Sequence, residues 1–321
     1  MRNQTVLTEF LLSGLSDLSG LQLPLFLFFL LIYLLTFIWN LLIIVLIVSD
    51  SHLHVPMYFF LGNLAGLDLC CSSVTIPRML FDLLTKRRKI NTTACITQVF
   101  FFMFFGTSEA LLLAVMSYDR YTAICQPLHY VQLMSWKVCA QLVSIVWCLG
   151  FTNSFVHTLS VLNLTFCGSD VLENFFCDLP QFFQISCSNI YLNILLLFLL
   201  GGFVAGGSLI LTFLPYVYIF KTVLKLQVKG KRSKVFSTCT SHLTAVFIFY
   251  CSTMFNYFHP SSGYHFPGAK VAPVFYATLI PLFNPLIYSL RNQDFRTAFR
   301  RVFQSIFSFA IQNSSKLKPH S

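Results

Sequence analysis

Asp68 and Glu109 each interrupt an apolar run. An ionisable side chain in such surroundings is costly unless it turns inward to a partner or cavity. The chemistry open to these two is a hydrogen-bonded structural contact, a shared proton or a bound ion. Glu109 belongs to a stretch that ends in Met116-Ser-Tyr-Asp-Arg-Tyr-Thr-Ala-Ile-Cys125. A helix turns by about 100° per residue, so Cys95, Phe102, Glu109 and Arg120 share one narrow stripe, which must face protein. Cys95 and Arg120 are 25 residues apart, and at 1.5 Å per step this is roughly 37 Å, a bilayer core with part of its interface. One helix therefore joins an oxidisable thiol at one end to a fixed cation at the other.

The elements that must carry these groups are seven long apolar stretches, near 24–49, 57–82, 95–122, 138–160, 192–222, 235–258 and 269–290. Each reaches the about 20 residues that a membrane span needs, and none shows the short alternating segments of a barrel. The 321 residues are 56% hydrophobic and only 10% charged, more apolar surface than one water-soluble core can hide. The expected fold is an all-α membrane protein: a seven-transmembrane helix bundle over 24–290, an amino-terminal tail over 1–23 and a tail over 291–321. In that last segment Phe295, Phe299, Val302 and Phe303 recur at helical spacing with Arg296, Arg300 and Arg301 between them. They read as a short amphipathic helix anchored on the lipid bilayer.

The net charge of +10 does not imply nucleic acid, because the basic residues collect at span ends. Lys221, Lys225, Lys229, Lys231, Arg232 and Lys234 lie between the fifth and sixth spans, and six more run from Arg291 to Lys318. The positive-inside rule places both groups in the cytoplasm and the amino terminus outside. The run Lys86-Arg-Arg-Lys89 falls on the outer side and opposes that bias. No removable signal peptide is read ahead of the first span. Asn3, in Asn3-Gln-Thr5, is the expected glycosylation site; the same pattern recurs at Asn91, Asn163 and Asn313. Of eleven cysteines, Cys95, Cys167, Cys177 and Cys187 lie on the oxidising side, and four allow three pairings. Cys70, Cys71, Cys125, Cys139, Cys148, Cys239 and Cys251 are expected as small buried hydrophobes.

Enzyme chemistry finds no support, since neither a nucleophile elbow nor a zinc motif is present. His52 with His54, and His259 with His265, lack a third ligand, so no metal and no cofactor is expected. Gly201-Gly202-Phe-Val-Ala-Gly206-Gly207 has no following Lys and is read as a packing face, through Gly202 and Gly206, rather than a phosphate loop. A transporter would show inverted repeats, paired broken helices or a ring of like charges, and these are not seen.

Four segments in order carry a specific resemblance. They are Leu53-His-Val-Pro-Met-Tyr-Phe-Phe-Leu61, Met116 to Cys125 followed by Pro127-Leu-His-Tyr130, Lys234-Val-Phe-Ser-Thr-Cys-Thr-Ser-His-Leu243, and Pro281-Leu-Phe-Asn-Pro-Leu-Ile-Tyr-Ser-Leu-Arg-Asn292. With them, almost the whole chain resembles the olfactory receptors of the rhodopsin-like G-protein-coupled family. Trp39 stands where that family usually has Gly, and Pro215 before Tyr216 where it usually has Ser.

The resemblance implies an odorant receptor in the plasma membrane, with a small odorant and a stimulatory, olfactory-type heterotrimeric G protein as partners and cyclic AMP as the output. A rhodopsin-like receptor for a non-odorant small ligand is the nearer alternative, and a transporter the more distant one. The resemblance also implies disulfides Cys95–Cys177 and Cys167–Cys187. In the resting state it has Asp119 holding Arg120, beside Tyr121, with Arg120 released to the G protein on activation. Asn284, Pro285 and Tyr288 resemble a kink and switch, in which Pro frees a carbonyl and Asn and Tyr can rebond. Phe102, Met103, Gly106 and Thr107 share a face of the third helix, as do Tyr250, Met254 and Tyr257 of the sixth. The resemblance puts both faces at an outer-half pocket. Their apolar, aromatic character suits a small, weakly polar volatile held mainly by burial, and disfavours an amine seeking a carboxylate there.

Overall fold

The computed structural model describes residues 8–15, 18–85, 87–167, 169–225, 229–257, 271–291, 295–302 and 304, with backbone alone at 19, 229–238, 256, 257, 271, 272 and 288–291. The expectations for Asn3, Lys86, His259, His265, Phe303, Asn313 and the residues beyond lie outside the described residues. So do those for the side chains of Lys229, Lys231, Arg232, Lys234, Tyr257 and Tyr288.

Helices occupy all seven expected places: α1 (Ser19–Ser49), α2 (Pro56–Thr85), α3 (Thr92–Cys125), α4 (Trp136–Leu162) and α5 (Tyr191–Lys225, with a π turn at Leu197–Gly201). They continue with α6 (Lys229–Tyr257) and α7, built of Val271–Val274, a π turn Phe275–Leu279 and Ile280–Arg291. Among the described residues the first five are long and apolar enough to cross a membrane, and shorter apolar helices, Cys239–Phe255 and Phe275–Ile287, lie within the last two. Leu23, Leu27, Leu31, Ile38 and Val48 stand exposed along α1, as a lipid-facing stripe should. Cys70, Cys148 and Cys251 are exposed too, which corrects the burial expected of them: a thiol is apolar enough to face lipid.

Helix starts follow local chemistry. Pro56 opens α2, where a missing N–H leaves nothing unsatisfied. Asn91 Oδ1 accepts from Thr93 N at 2.8 Å ahead of α3, and Asp50 Oδ1 from His52 N at 3.0 Å between α1 and α2. α3 is the central helix, packed against α2, α4, α5 and α6. Its contact with α4 requires Gly150, because a Cβ there would collide with Ser108 Oγ and lie 3.1 Å from the Phe104 carbonyl. Close approach brings Asn153, one turn further along α4, onto α3.

The prolines of α7 explain two bonds that cross the bundle. Pro285 has no N–H, so the Pro281 carbonyl four residues earlier loses its helical donor; Asn40 Nδ2 of α1 supplies one at 2.9 Å. Pro281 likewise frees the Ala277 carbonyl, which Thr75 Oγ1 of α2 reaches only at 3.4 Å. The replacement donors tie α7 to α1 and α2 while leaving its helix locally loose.

The disulfide end carries a small sheet, in the order β2–β1–β3, formed by β1 (Glu9–Leu12), β2 (Lys89–Asn91) and β3 (Val171–Leu172). β1 pairs antiparallel with β2, Phe10 opposite Ile90, and parallel with β3, Leu12 opposite Leu172. Alternation buries Phe10 and Leu12 against Cys95, Cys177 and Phe182. The basic run is absorbed here. Arg88 Nη1 donates to the Ser13 carbonyl at 2.6 Å, Lys89 Nζ lies 3.5 Å from Glu9 Oε2, and Arg78 Nη2 donates to the Lys89 carbonyl at 2.7 Å.

Beyond α7, residues 295–302 are helical. Phe295 and Ala298 are buried in the bundle and Val302 packs beside them, while Phe299 is exposed. The apolar face expected on the bilayer is thus partly spent on protein. Arg301 Nη1 meets Asp50 Oδ2 at 3.3 Å. The His52 backbone N–H, followed by its side chain and the Arg301 charge, holds the Asp50 carboxyl below the usual carboxylate range.

Candidate functional site

Between α3, α5 and α6, toward the disulfide end, lies a cavity of about 160 Å³. Apolar cavities near 150 Å³ hold a molecule the size of benzene. Six of the residues expected at a pocket line it: Phe102, Met103, Gly106, Thr107, Tyr250 and Met254. Gly106 is open space made deliberate, since a Cβ there would meet nothing within 4 Å. Gly202 also lines the cavity, and a Cβ on Gly202 or Gly206 would likewise meet nothing within 4 Å. The packing face expected of these glycines is therefore corrected. Leu197, Phe198 and Gly201, all within the π turn of α5, also form wall.

Sequence reasoning missed the contributions of α4, α5 and α7. Asn153 lines the cavity, its amide nitrogen donating to Thr107 Oγ1 at 3.0 Å. Tyr276 of α7 covers the side toward the disulfides, its ring centroid 5.1 Å from that of Phe102. Its hydroxyl donates to Asp178 Oδ2 at 3.2 Å, immediately after the bridged Cys177. A signal existed for Asn153, a polar residue inside an apolar span. For Tyr276 none did, because its place depends on the π turn.

Both implied disulfides are present, Cys95–Cys177 and Cys167–Cys187. Gln98 serves the first: its Nε2 donates to the Val74 carbonyl at 2.8 Å and its Oε1 accepts from Cys177 N at 2.9 Å. The loop between α4 and α5 is thereby fastened to α2 and α3 above the cavity.

Asp68 and Glu109 meet at the cavity floor through one amide. Asn284 Nδ2 donates to Asp68 Oδ1 at 3.1 Å and to Glu109 Oε1 at 2.9 Å, all three side chains buried. Glu109 itself lines the cavity. The expectation of a pocket free of charged residues is corrected here: Glu109 is three residues from Gly106 and so on the same face. Among the described residues no group of three or more His, Cys, Asp or Glu could hold a metal ion.

At the opposite end, buried Asp119 accepts from the Tyr130 hydroxyl at 2.9 Å, and the charge of Arg120 acts on it without a close ion pair among the described residues. Burial first, then the Asp119 carboxylate, pushes the Tyr130 phenol well above its ordinary range. Arg120 is half-buried and its charge acts on Tyr216, Cys239 and His242. Tyr216 and His242 link α5 to α6 through a 2.6 Å bond between hydroxyl and Nδ1. Tyr121 stacks on Tyr118 and meets Tyr218 edge-on, and Pro285 is buried beside Asn284 in α7.

Residues 29–305 match the family model described as olfactory receptor. The chain is 48% identical over 300 residues to the Olfactory receptor-like protein COR5 of Gallus gallus, covering 94% of this chain and 96% of that one. To the Olfactory receptor 5A2 of Homo sapiens it is 45% identical over 303 residues, 94% of each chain. In fold it is similar to squid rhodopsin, with a TM-score of 0.65, 21% identity, and coverage of 91% of this chain and 87% of that one.

Proposed function

The chain belongs to the olfactory receptor family, and from that membership we propose that it binds small, weakly polar volatile molecules in the α3–α5–α6 cavity and activates a stimulatory, olfactory-type G protein to raise cyclic AMP. As a member of that family it is a multi-pass plasma-membrane receptor for odorants that couples to G proteins, and not an enzyme. The amino terminus lies outside and the carboxyl terminus in the cytoplasm. The clusters around Lys221 and Arg291 support this orientation, and both disulfides then fall on the oxidising side. The one dissenting run carries less weight, because Arg88 and Lys89 are engaged by the sheet.

The reading rests above all on the cavity, whose walls include six of the residues expected for a ligand and whose size fits a compact volatile. An agonist touches Gly106 and Tyr250 and reaches the Glu109–Asn284–Asp68 layer, which joins α3, α7 and α2 next to Pro285. A shift of α6 and α7 exposes Arg120 to the G protein, while the Asp119–Tyr130 bond holds the resting arrangement. Asn3 carries a glycan. The test is a broad odorant panel in cells carrying the olfactory stimulatory G protein, with cyclic AMP and surface display read together. A dose-dependent rise that Arg120→Ala removes supports the reading; responses independent of Arg120, or tracer flux through the purified protein in liposomes, contradict it.

A further inference from the structure

At one corner of the cavity Asn153 forms wall and His157, which does not line the space, lies fully buried one turn further along α4. Among the described residues Asn153 Oδ1 and both ring nitrogens of His157 have no hydrogen-bond partner, and the two residues are 5% and 0% exposed. Buried polar atoms are nearly always bonded, so an orphaned cluster asks for an occupant. Asn153 and His157 are one turn apart on α4, on one face and about 5–6 Å from each other. Asn153 lines the cavity, and its amide nitrogen is held by Thr107, which fixes the amide in place. Opposite runs the π turn of α5, a distortion that recurs at functional sites. A Cβ on Gly201 would lie 3.8 Å from His157 Nε2, an ordinary contact, so this wall glycine packs directly beside the buried imidazole.

We propose that this corner is a hydroxyl-recognition subsite, in which an agonist O–H donates to Asn153 Oδ1 and the same oxygen accepts from the neutral His157 ring. A neutral imidazole offers one donor and one acceptor, and an amide oxygen accepts only. The subsite therefore takes compact alcohols and phenols ahead of ethers or hydrocarbons of the same skeleton. This rests on the cavity reading above and adds to it the class of ligand.

The test compares alcohols of six to ten carbon atoms, each paired with its methyl ether, on the full-length receptor at the surface of living cells. Potency ratios are taken within each variant, so changes in surface level cancel. In the native receptor alcohols should exceed their ethers by about threefold to tenfold, the worth of one neutral hydrogen bond. Asn153→Ala and His157→Phe should each bring the ratio toward one. Thr107→Val, close in shape, frees the Asn153 amide as a donor and should raise the ethers relative to the alcohols without loss of folding. Parity of alcohols and ethers in the native receptor, as a resident water at the corner would give, overturns the proposal. So does an unchanged ratio in Asn153→Ala and Thr107→Val, or a panel without alcohol responses. Gly106→Leu separates the two readings. If it leaves every agonist unaffected the cavity assignment itself fails, whereas sensitivity to it combined with parity removes only the hydroxyl subsite.

Discussion

Replacing Gly106 with leucine should convert the receptor into one that accepts only its smaller agonists. The position faces open space, with nothing within 4 Å of an ideal Cβ, and the cavity it borders measures about 160 Å³. Leucine adds four carbon atoms, the first of them into open space beside the cavity, so the loss should fall on the ligand more than on folding. Burial of a methylene contributes about 0.8 kcal/mol. An agonist that must give up three methylenes of contact therefore loses roughly 2.4 kcal/mol, or about 60-fold in potency. One that fills only the far half of the cavity should shift less than about threefold. The assay is a set of cyclic AMP dose–response curves for a homologous series, with surface display measured on the same cells. Equal shifts for all chain lengths, or none, at normal surface level would refute the reasoning.

Cys95→Ser should abolish surface display, because it releases the loop that Gln98 and the Cys177 bridge hold over the cavity, and a lost disulfide typically costs about 2–5 kcal/mol; native display and response would oppose that role. Arg120→Ala should silence signalling at normal display. Tyr130→Phe should raise basal cyclic AMP, as should Asp119→Ala, since each removes the same bond, and unchanged basal activity in both would separate that bond from the resting state. Asn40→Ala should lower thermal stability of the detergent-purified receptor by about 1–3 kcal/mol, because the carbonyl freed by Pro285 is left buried without a donor; an unchanged melting temperature would show that another group takes its place.

The α3 and α6 faces of the cavity were legible from helical periodicity within one segment, the span count from apolar length, and the inward turn of Asp68 and Glu109 from the cost of a charge in an apolar run. The disulfide-end sheet was not, since strands of two to four residues, such as Val171–Leu172, carry too little alternation to read. The contacts of Arg88 and Lys89 were not legible because their partners, the Ser13 carbonyl and Glu9, are remote in sequence. The α5 wall was hidden for two reasons. That span is apolar on every side, and Gly202 was assigned to packing on residue size alone, which does not tell a close helix contact from open cavity wall. The donors to the α7 carbonyls could be anticipated as a need, from Pro281 and Pro285, but not as Thr75 and Asn40. Glu109 shows the converse: its place on the cavity face followed from Gly106 by simple spacing and was overlooked.

A structure of the receptor with an alcohol agonist and its G protein, determined in a lipid nanodisc, asks directly whether the cavity is where an odorant acts. The agonist should lie between Gly106 and Gly202 against Tyr250, its hydroxyl beside Asn153, with Arg120 turned to the G protein. An agonist seated elsewhere, with the cavity closed or holding only lipid while the G protein is engaged, would contradict it.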